Sequence, residues 1–178
     1  MELSTITAVQ KLTSPNPFCL IGTEGEHGKT NLAAASWWNY ASNRPPMLTV
    51  CLSNRGFSGE RIRKTGRFVL QLLPGGFEEA AFRCGTISGR NCDKAENFGI
   101  SLESNVGGYP DYVKGSAVVL NCLLKEQMEA SDHTVYLALA ESVYMDAAFA
   151  TNTGKGILYA FEGYKRLDIV KERENARR

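Results

Sequence analysis

The alternation of apolar and polar positions along the chain predicts a protein built mainly from strands. Six apolar runs are bounded by proline, glycine or charged residues, which is typical of strands. They occupy residues 17–24, 46–53, 67–73, 117–129, 133–149 and 156–161. Residues 30–36 are predicted to return from a hairpin turn at 24–29, where glycines lie among charges. The turn 130–132 is predicted to pair the two long strands that flank it.

Two segments have helical patterns, 57–66 and 77–85. Ser58 is placed to cap the first helix and Gly66 to end it, while Gly85 is placed to stop the second. Residues 86–116 are rich in Gly, Asn, Ser and Asp and are predicted to be irregular. With many strands, few helices and no regular βαβ alternation, we expect a mainly β fold, an antiparallel sheet closed into a barrel.

Composition sets bounds on this picture. The chain has 178 residues, of which 43% are hydrophobic, which suits a single domain over 1–170 followed by a charged tail at 171–178. A formal net charge of +1 gives no reason to expect a nucleic-acid partner. No apolar run approaches the ~20 residues that span a bilayer, and the N-terminus lacks a signal-peptide pattern. We therefore expect a cytoplasmic protein with no membrane segment.

The five cysteines have no C-x-x-C spacing, and the chain has only two histidines, which lie far apart. This pattern favours reduced thiols, mostly buried in strands, over a disulfide framework. It gives no ligand set for a metal.

The stretch "NLAAASWWNYASNRPP" at 31–46 places the chain's only tryptophans, Trp37 and Trp38, beside its smallest side chains. Small residues let a planar ligand approach the backbone, and a tryptophan can pack against a ring. A tight strand pair with both tryptophans in the core explains the same pattern. Because neighbouring strand residues point to opposite faces, we expect one tryptophan to be buried in either case.

Three further clusters carry polar groups that could bind a ligand. "SNRGFS" at 53–58 combines hydroxyls, an amide and Arg55 at the start of a predicted helix, which suits an anion, although it could be an ordinary turn. "CGTISGRNCDK" at 84–94 is either a ligand-binding loop or a polar surface turn. His133 could donate a proton near neutral pH, or it could simply bond Asp132 in a hairpin.

Taken in order, these segments resemble the flavin reductase-like family, the FMN-binding split-barrel proteins, and within it the flavoredoxin-like branch. The resemblance covers about residues 15–164 and rests on four segments, 15–53, 58–73, 84–94 and 131–145. It implies a homodimeric split β-barrel with a few short helices. It also implies FMN, or possibly FAD, in a groove near the dimer interface.

The resemblance also implies roles for individual residues. The ring of the flavin would border the segment Ala33, Ala34, Ala35, Ser36, Trp37, Trp38 and Asn39. The ribityl phosphate would be held by Ser53, Asn54, Arg55 and Ser58. His133 would face the flavin pocket as the catalytic candidate, and Ser88, Gly89 and Lys94 would lie in a loop near the cofactor.

Three functions fit this resemblance. The first is an oxidoreductase that passes electrons from NADH or NADPH through FMN to an acceptor, with a redox partner protein or a monooxygenase as a possible recipient. The second is an electron carrier with tightly bound FMN that does not use nicotinamide directly. The third is a split barrel that has lost flavin and serves as a binding module.

Overall fold

The computed structural model describes residues 6, 15–150, 156–162 and 164–170. The strands are β1 (Asn16–Pro17), β2 (Cys19–Glu24), β3 (Thr30–Ala35), β4 (Trp38–Asn43), β5 (Pro46–Ser53), β6 (Arg67–Leu72), β7 (Leu102–Glu103), β8 (Tyr112–Val113), β9 (Val118–Ala130), β10 (His133–Met145), β11 (Leu158–Phe161) and β12 (Arg166–Ile169). The helices are α1 (Phe57–Thr65), α2 (Glu78–Cys84), α3 (Lys94–Asn97) and α4 (Ala147–Ala150).

One antiparallel sheet dominates the structure, with the strand order β3-β2-β6-β9-β10-β5-β4. A three-stranded sheet β1-β11-β12 and a two-stranded sheet β7-β8 lie beside it. Strands β2 and β5 are far apart in the order, yet Ile21 of β2 and Val50 of β5 share one hydrophobic core. The large sheet is therefore strongly curved around this core.

Strand β2 is buried on both faces, which explains its dense apolar run. Cys19 and Ile21 face the core inside the curved sheet. Leu20, with Phe18 just before the strand, faces a second core that includes residues of α2, β11 and β12. The groove described below lies beside the strand β3 that pairs with β2.

The mainly β, antiparallel prediction is confirmed, but the prediction of a closed barrel is wrong. Among the described residues, β3 and β4 each pair on one side only and form the edges of the large sheet. The chain leaves β3 at Ala35 and enters β4 at Trp38, and a cavity lined by the intervening Ser36 and Trp37 lies beside them.

Several local predictions also differ from the structure. Residues 38–43, for which no strand was predicted, form the edge strand β4, whose outward face needs no apolar side chains. β10 ends at Met145, short of the predicted 149. The region 86–116 contains α3, β7 and β8, and β12 follows the strand that was expected to be the last. The charged tail at 171–178 lies outside the described residues.

Ser58 does not cap α1, contrary to prediction. The N-cap is Gly56, which has no side chain to offer, and Ser58 lies buried in the first turn of the helix. Gly66 ends α1 as predicted, in a left-handed conformation with φ of 69°.

The strand placement of the cysteines holds for Cys19, Cys51 and Cys122 but fails for the other two. Cys84 ends α2, and Cys92 lies in a loop. In the part of the chain that the structure covers, no helix has the length and apolar character needed to cross a membrane.

Candidate functional site

Two adjoining cavities form a groove along β3 and the end of β5. The first has a volume of about 360 Å³ and lies beside the bend between β3 and β4. The second has a volume of about 290 Å³ and lies beside the start of α1. They share Ala34, Leu52, Ser53 and Gly85, so they are continuous. Together they reach the size of a small-molecule site.

The small-residue stretch forms one wall of this groove. Ala34 and Ala35 line the first cavity, and Ala33 and Ala34 line the second. Ser36 and Trp37 complete the wall of the first cavity. Each of these alanines has only a methyl group as its side chain. A flat ligand can therefore lie close to the β3 backbone.

The two tryptophans point in different directions, as expected for neighbouring extended residues. Trp37 is 44% exposed and lines the first cavity. Trp38 packs against the core inside the sheet, and its Nε1 donates to the Pro17 carbonyl at 3.0 Å. Asn39 faces away in β4, where its Oδ1 accepts from the Tyr40 backbone. The structure thus brings Trp37, but neither Trp38 nor Asn39, to the lining of the two cavities.

The turn between β5 and α1 carries the second predicted cluster. Ser53, Arg55 and Ser58 all line the second cavity. No side chain caps α1, so its first backbone N–H groups lack a partner within the helix and favour an anion. Within the described residues, the guanidinium of Arg55 has neither a hydrogen bond nor an ion pair. The open end of the helix and a nearby free cation thus lie in one cavity.

Asn54 belongs to the same cluster but is directed away from the cavities. Its Nδ2 donates to the Ser131 carbonyl at 2.7 Å, and its Oδ1 accepts from Thr134 Oγ1 at 2.7 Å. Its backbone N–H donates to the Asp132 carbonyl at 2.9 Å. All three bonds join the turn before α1 to the hairpin between β9 and β10. The residue therefore links the turn to the hairpin, and it lines neither cavity.

The loop before α3 closes the second cavity with Ser88, Gly89 and Lys94. Asp93 caps α3 by accepting from the Glu96 N–H, and a hydrogen bond from Lys29 holds the pKa of Asp93 below its usual range. This cap begins the helix at Lys94, which is buried.

The ammonium of Lys94 donates to the carbonyls of Leu32 at 2.7 Å and Cys84 at 2.6 Å. Burial lowers the pKa of this lysine. An ammonium has three protons, and two carbonyls account for only two of them. Lys94 can therefore direct a further donor, and its charge, toward the cavity that it lines.

His133 begins β10 opposite Ser53 of β5, so the strand register places it on the first cavity. Its Nδ1 lies 2.9 Å from Asp132 Oδ1, and this hydrogen bond lowers the pKa of the Asp132 carboxyl. Its ring also lies 4.9 Å from the Trp37 ring, centroid to centroid. His133 therefore bonds Asp132, as the hairpin interpretation predicts, and it also lines the groove, while its role as a proton donor stays a prediction.

Tyr164 and Gly85 line the groove, although neither was predicted as a site residue. Tyr164 lines the first cavity, and its buried hydroxyl has no hydrogen-bond partner among the described residues. Burial raises the pKa of this tyrosine, so it is a neutral donor at ordinary pH. A Cβ on Gly85 would lie 2.6 Å from the Tyr164 hydroxyl, so the absent side chain makes room for it. Tyr164 follows the strand at 156–161 that was expected to be the last, and no pattern in the sequence predicted that the chain after it contacts the site.

An open, curved antiparallel sheet with a groove at its β3 edge is the class of structure that these observations define. The chain matches the Flavin reductase like domain over residues 12–168 and belongs to that family. A curated relative from Aeropyrum pernix, an uncharacterized protein, is 29% identical over 150 residues, which cover 83% of this chain and 55% of the relative. The chain thus spans about half the length of that relative.

Solved structures share the fold at low sequence identity. Flavoredoxin from Methanosarcina acetivorans superposes with a TM-score of 0.83 at 19% identity, covering 99% of this chain and 94% of the other. The NADH:FAD oxidoreductase from Streptomyces globisporus C-1027 gives a TM-score of 0.80 at 16% identity, covering 96% of this chain and 98% of the other. The fold therefore accommodates proteins described both as a flavoredoxin and as a nicotinamide-dependent oxidoreductase.

Proposed function

We propose that this protein binds FMN in the groove and acts as an oxidoreductase that passes electrons from NADH or NADPH through the flavin to an acceptor. The observation that carries the proposal is that one continuous groove has an apolar wall at one end and a site suited to an anion at the other. A wall of alanines with Trp37 lies at one end, and the uncapped start of α1 with Arg55 lies at the other. A flavin mononucleotide has the same division, with a flat ring at one end and a phosphate at the other.

The residues present fit such a ligand. The phosphate would be held by the first N–H groups of α1, the Ser58 hydroxyl and Arg55. Ala33 to Ser36 would offer backbone groups to the ring edge, and Trp37 would pack against the ring. Bound flavin supplies hydride acceptance and electron transfer, while the protein supplies placement and electrostatics.

Two groups in the groove are proposed to handle charge and protons. Lys94 would place a fixed positive charge near the ligand, because its ammonium is held by two carbonyls. His133 would present Nε2 to the ligand as a hydrogen-bond acceptor, since its Nδ1–H donates to the Asp132 carboxylate. With Trp37 at its side, His133 would also shape the space that receives the nicotinamide or another electron donor.

A tightly bound FMN that exchanges electrons with a protein partner is the second candidate function. It is favoured by the likeness to the flavoredoxin structure, whereas the likeness to the NADH:FAD oxidoreductase favours direct nicotinamide use and allows FAD in place of FMN. In both cases we propose a homodimer. Tyr40, on the exposed face of the edge strand β4, is an accessible residue for that contact.

The visible absorbance spectrum of the freshly purified protein, before and after dialysis, tests flavin binding. A flavin spectrum that survives dialysis supports a bound prosthetic group. A colourless protein that gains the spectrum with FMN supports flavin as a diffusible substrate. A protein that binds neither FMN nor FAD contradicts the proposal.

Nicotinamide use requires a separate assay. Oxidation of NADH or NADPH is followed at 340 nm with FMN present and absent. Flavin-dependent oxidation of either donor supports the reductase. If the flavin-loaded protein oxidises neither donor but is reduced by a protein donor, the carrier function holds instead. A His133→Gln variant, which keeps a hydrogen-bonding side chain, should bind FMN like the wild type but turn over more slowly.

A further inference from the structure

Asn31 lies in the lining of the second cavity and donates a hydrogen bond to Ser58, which lines the same cavity. The residue is 6% exposed, and it lies in β3 just before the alanine stretch. Its Nδ2 donates to Ser58 Oγ at 2.8 Å and to Thr23 Oγ1 at 2.9 Å. Both amide protons are therefore used within the protein, and neither is left for a ligand.

The contact with Gly89 supports this orientation of the amide. Asn31 Oδ1 has no hydrogen-bond partner among the residues that the structure describes, and a Cβ built on Gly89 would lie only 1.8 Å from it. A Gly89 hydrogen therefore points at Oδ1, which is a favourable weak contact for an oxygen. With the amide reversed, that hydrogen would face an NH₂ group whose protons lack an acceptor, which costs more.

The orientation of Asn31 determines what Ser58 can do. A hydroxyl has one proton to donate and lone pairs that accept, and one of those lone pairs is occupied by Asn31. Within the part of the chain that the structure describes, no group accepts the Ser58 proton. Because Ser58 lines the second cavity, that proton is available to an acceptor in the cavity.

We infer that Asn31 is a positioning residue that fixes Ser58 as a hydrogen-bond donor toward the phosphate of the ligand. This inference rests on the proposed function, since it takes the phosphate of FMN to lie in the second cavity. It assigns selectivity for a phosphorylated over an unphosphorylated flavin to Asn31 acting through Ser58, because both amide protons of Asn31 are bonded within the protein. Riboflavin, which has the same ring and ribityl chain without the phosphate, is the matched probe.

The test is the ratio of the FMN and riboflavin affinities of the full-length protein. Asn31→Asp keeps the shape but replaces the donor by an acceptor, which draws the Ser58 proton away from the cavity. We expect the ratio to fall by about 10- to 100-fold, since the bond lost is one to a charged group. Riboflavin affinity should change little.

A double variant distinguishes an effect of Asn31→Asp that acts through the Ser58 hydroxyl from direct repulsion between the new carboxylate and the phosphate. In the Ser58→Ala background the hydroxyl is absent, so Asn31→Asp should lower the ratio much less than it does in the wild type. An equal loss in both backgrounds would show that the carboxylate acts on the phosphate directly and would overturn the inference. Thr23→Val removes the other partner of Asn31 and serves as the control. It should lower stability and leave the ratio unchanged.

Two further outcomes keep the inference distinct from the proposed function. A wild-type protein that binds riboflavin as tightly as FMN contradicts the phosphate site itself. A wild type that prefers FMN, with Asn31→Asp retaining that preference, overturns only the role of Asn31. If Asn31→Asp does not fold, Asn31→Ala introduces no buried charge and should lower the ratio at least about threefold. An unchanged ratio in that variant would also overturn the inference.

Discussion

Substitution of Gly89 by alanine tests how tightly the loop before α3 is seated on β3. A Cβ at this position would lie 1.8 Å from Asn31 Oδ1, 2.7 Å from its Cγ and 3.2 Å from Phe57 Cδ1. An ordinary contact needs more than 3 Å, so Asn31 or the loop must move by over an ångström. The backbone of Gly89 does not have a positive φ, so alanine causes no conformational strain of its own.

The cost follows from what that movement breaks. Displacing Asn31 breaks its hydrogen bonds to Thr23 and Ser58, worth about 0.5–1.5 kcal/mol each. Overpacking destabilises the folded protein by about a further 1–3 kcal/mol. Alanine also lowers the entropy of the unfolded chain, which offsets about 0.4–1 kcal/mol of this loss. We expect the free energy of unfolding of the flavin-free protein to fall by about 2–4 kcal/mol, measured by urea denaturation at fixed protein concentration.

Gly156→Ala is the matched control for this substitution. Its Cβ would meet nothing closer than 3.5 Å, and its φ is not positive, so we expect a change within about 0.5 kcal/mol. If Gly89→Ala behaves like this control, the close approach of the loop to Asn31 is not a feature of the folded protein. The reasoning on Ser58 would then lose its support as well.

Three more substitutions have defined outcomes. Arg55→Glu should weaken FMN binding more than about tenfold relative to riboflavin, and equal losses for both flavins would contradict the phosphate site. Tyr164→Phe removes a buried hydroxyl that has no partner in the described part of the chain, so the flavin-free protein should be at least as stable as the wild type. A loss above about 1 kcal/mol in urea unfolding would contradict this. Because burial lowers the pKa of Lys94, the folded protein binds fewer protons than the unfolded chain between that pKa and about 10.4. The unfolding free energy of wild type minus that of Lys94→Met should therefore rise with pH through this window, and a flat difference would refute the assignment.

Hydrophobic patterning was enough to predict the strands that bury at least one face. The run at 17–24 was recognisable because β2 is buried on both faces, and 133–145 because alternate residues of β10 enter the core. Strand β4 escaped prediction because an edge strand can be polar and still be held by backbone bonds to β5. The predicted closure failed for a related reason, since pairing between strand edges leaves no trace in hydrophobicity.

The candidate site was predictable where function constrains side-chain size or charge. The alanine stretch and Arg55 both line the groove. Asn31 and Gly85 were missed because their contributions depend on what lies opposite them, Ser58 in one case and Tyr164 in the other. Such contacts join distant parts of the chain, so they cannot be predicted from the local sequence.

The three hydrogen bonds of Asn54 have a consequence for how the groove meets a ligand. They fasten the turn that carries Arg55 to the hairpin that carries His133, so the two ends of the groove belong to one rigid unit. The spacing between an anion at α1 and a ring beside His133 is therefore set before any ligand arrives. The groove therefore loses little conformational entropy when a ligand binds. The two ends of the groove cannot move apart or together to fit a ligand of a different length. We therefore expect the groove to discriminate among ligands by length as well as by charge.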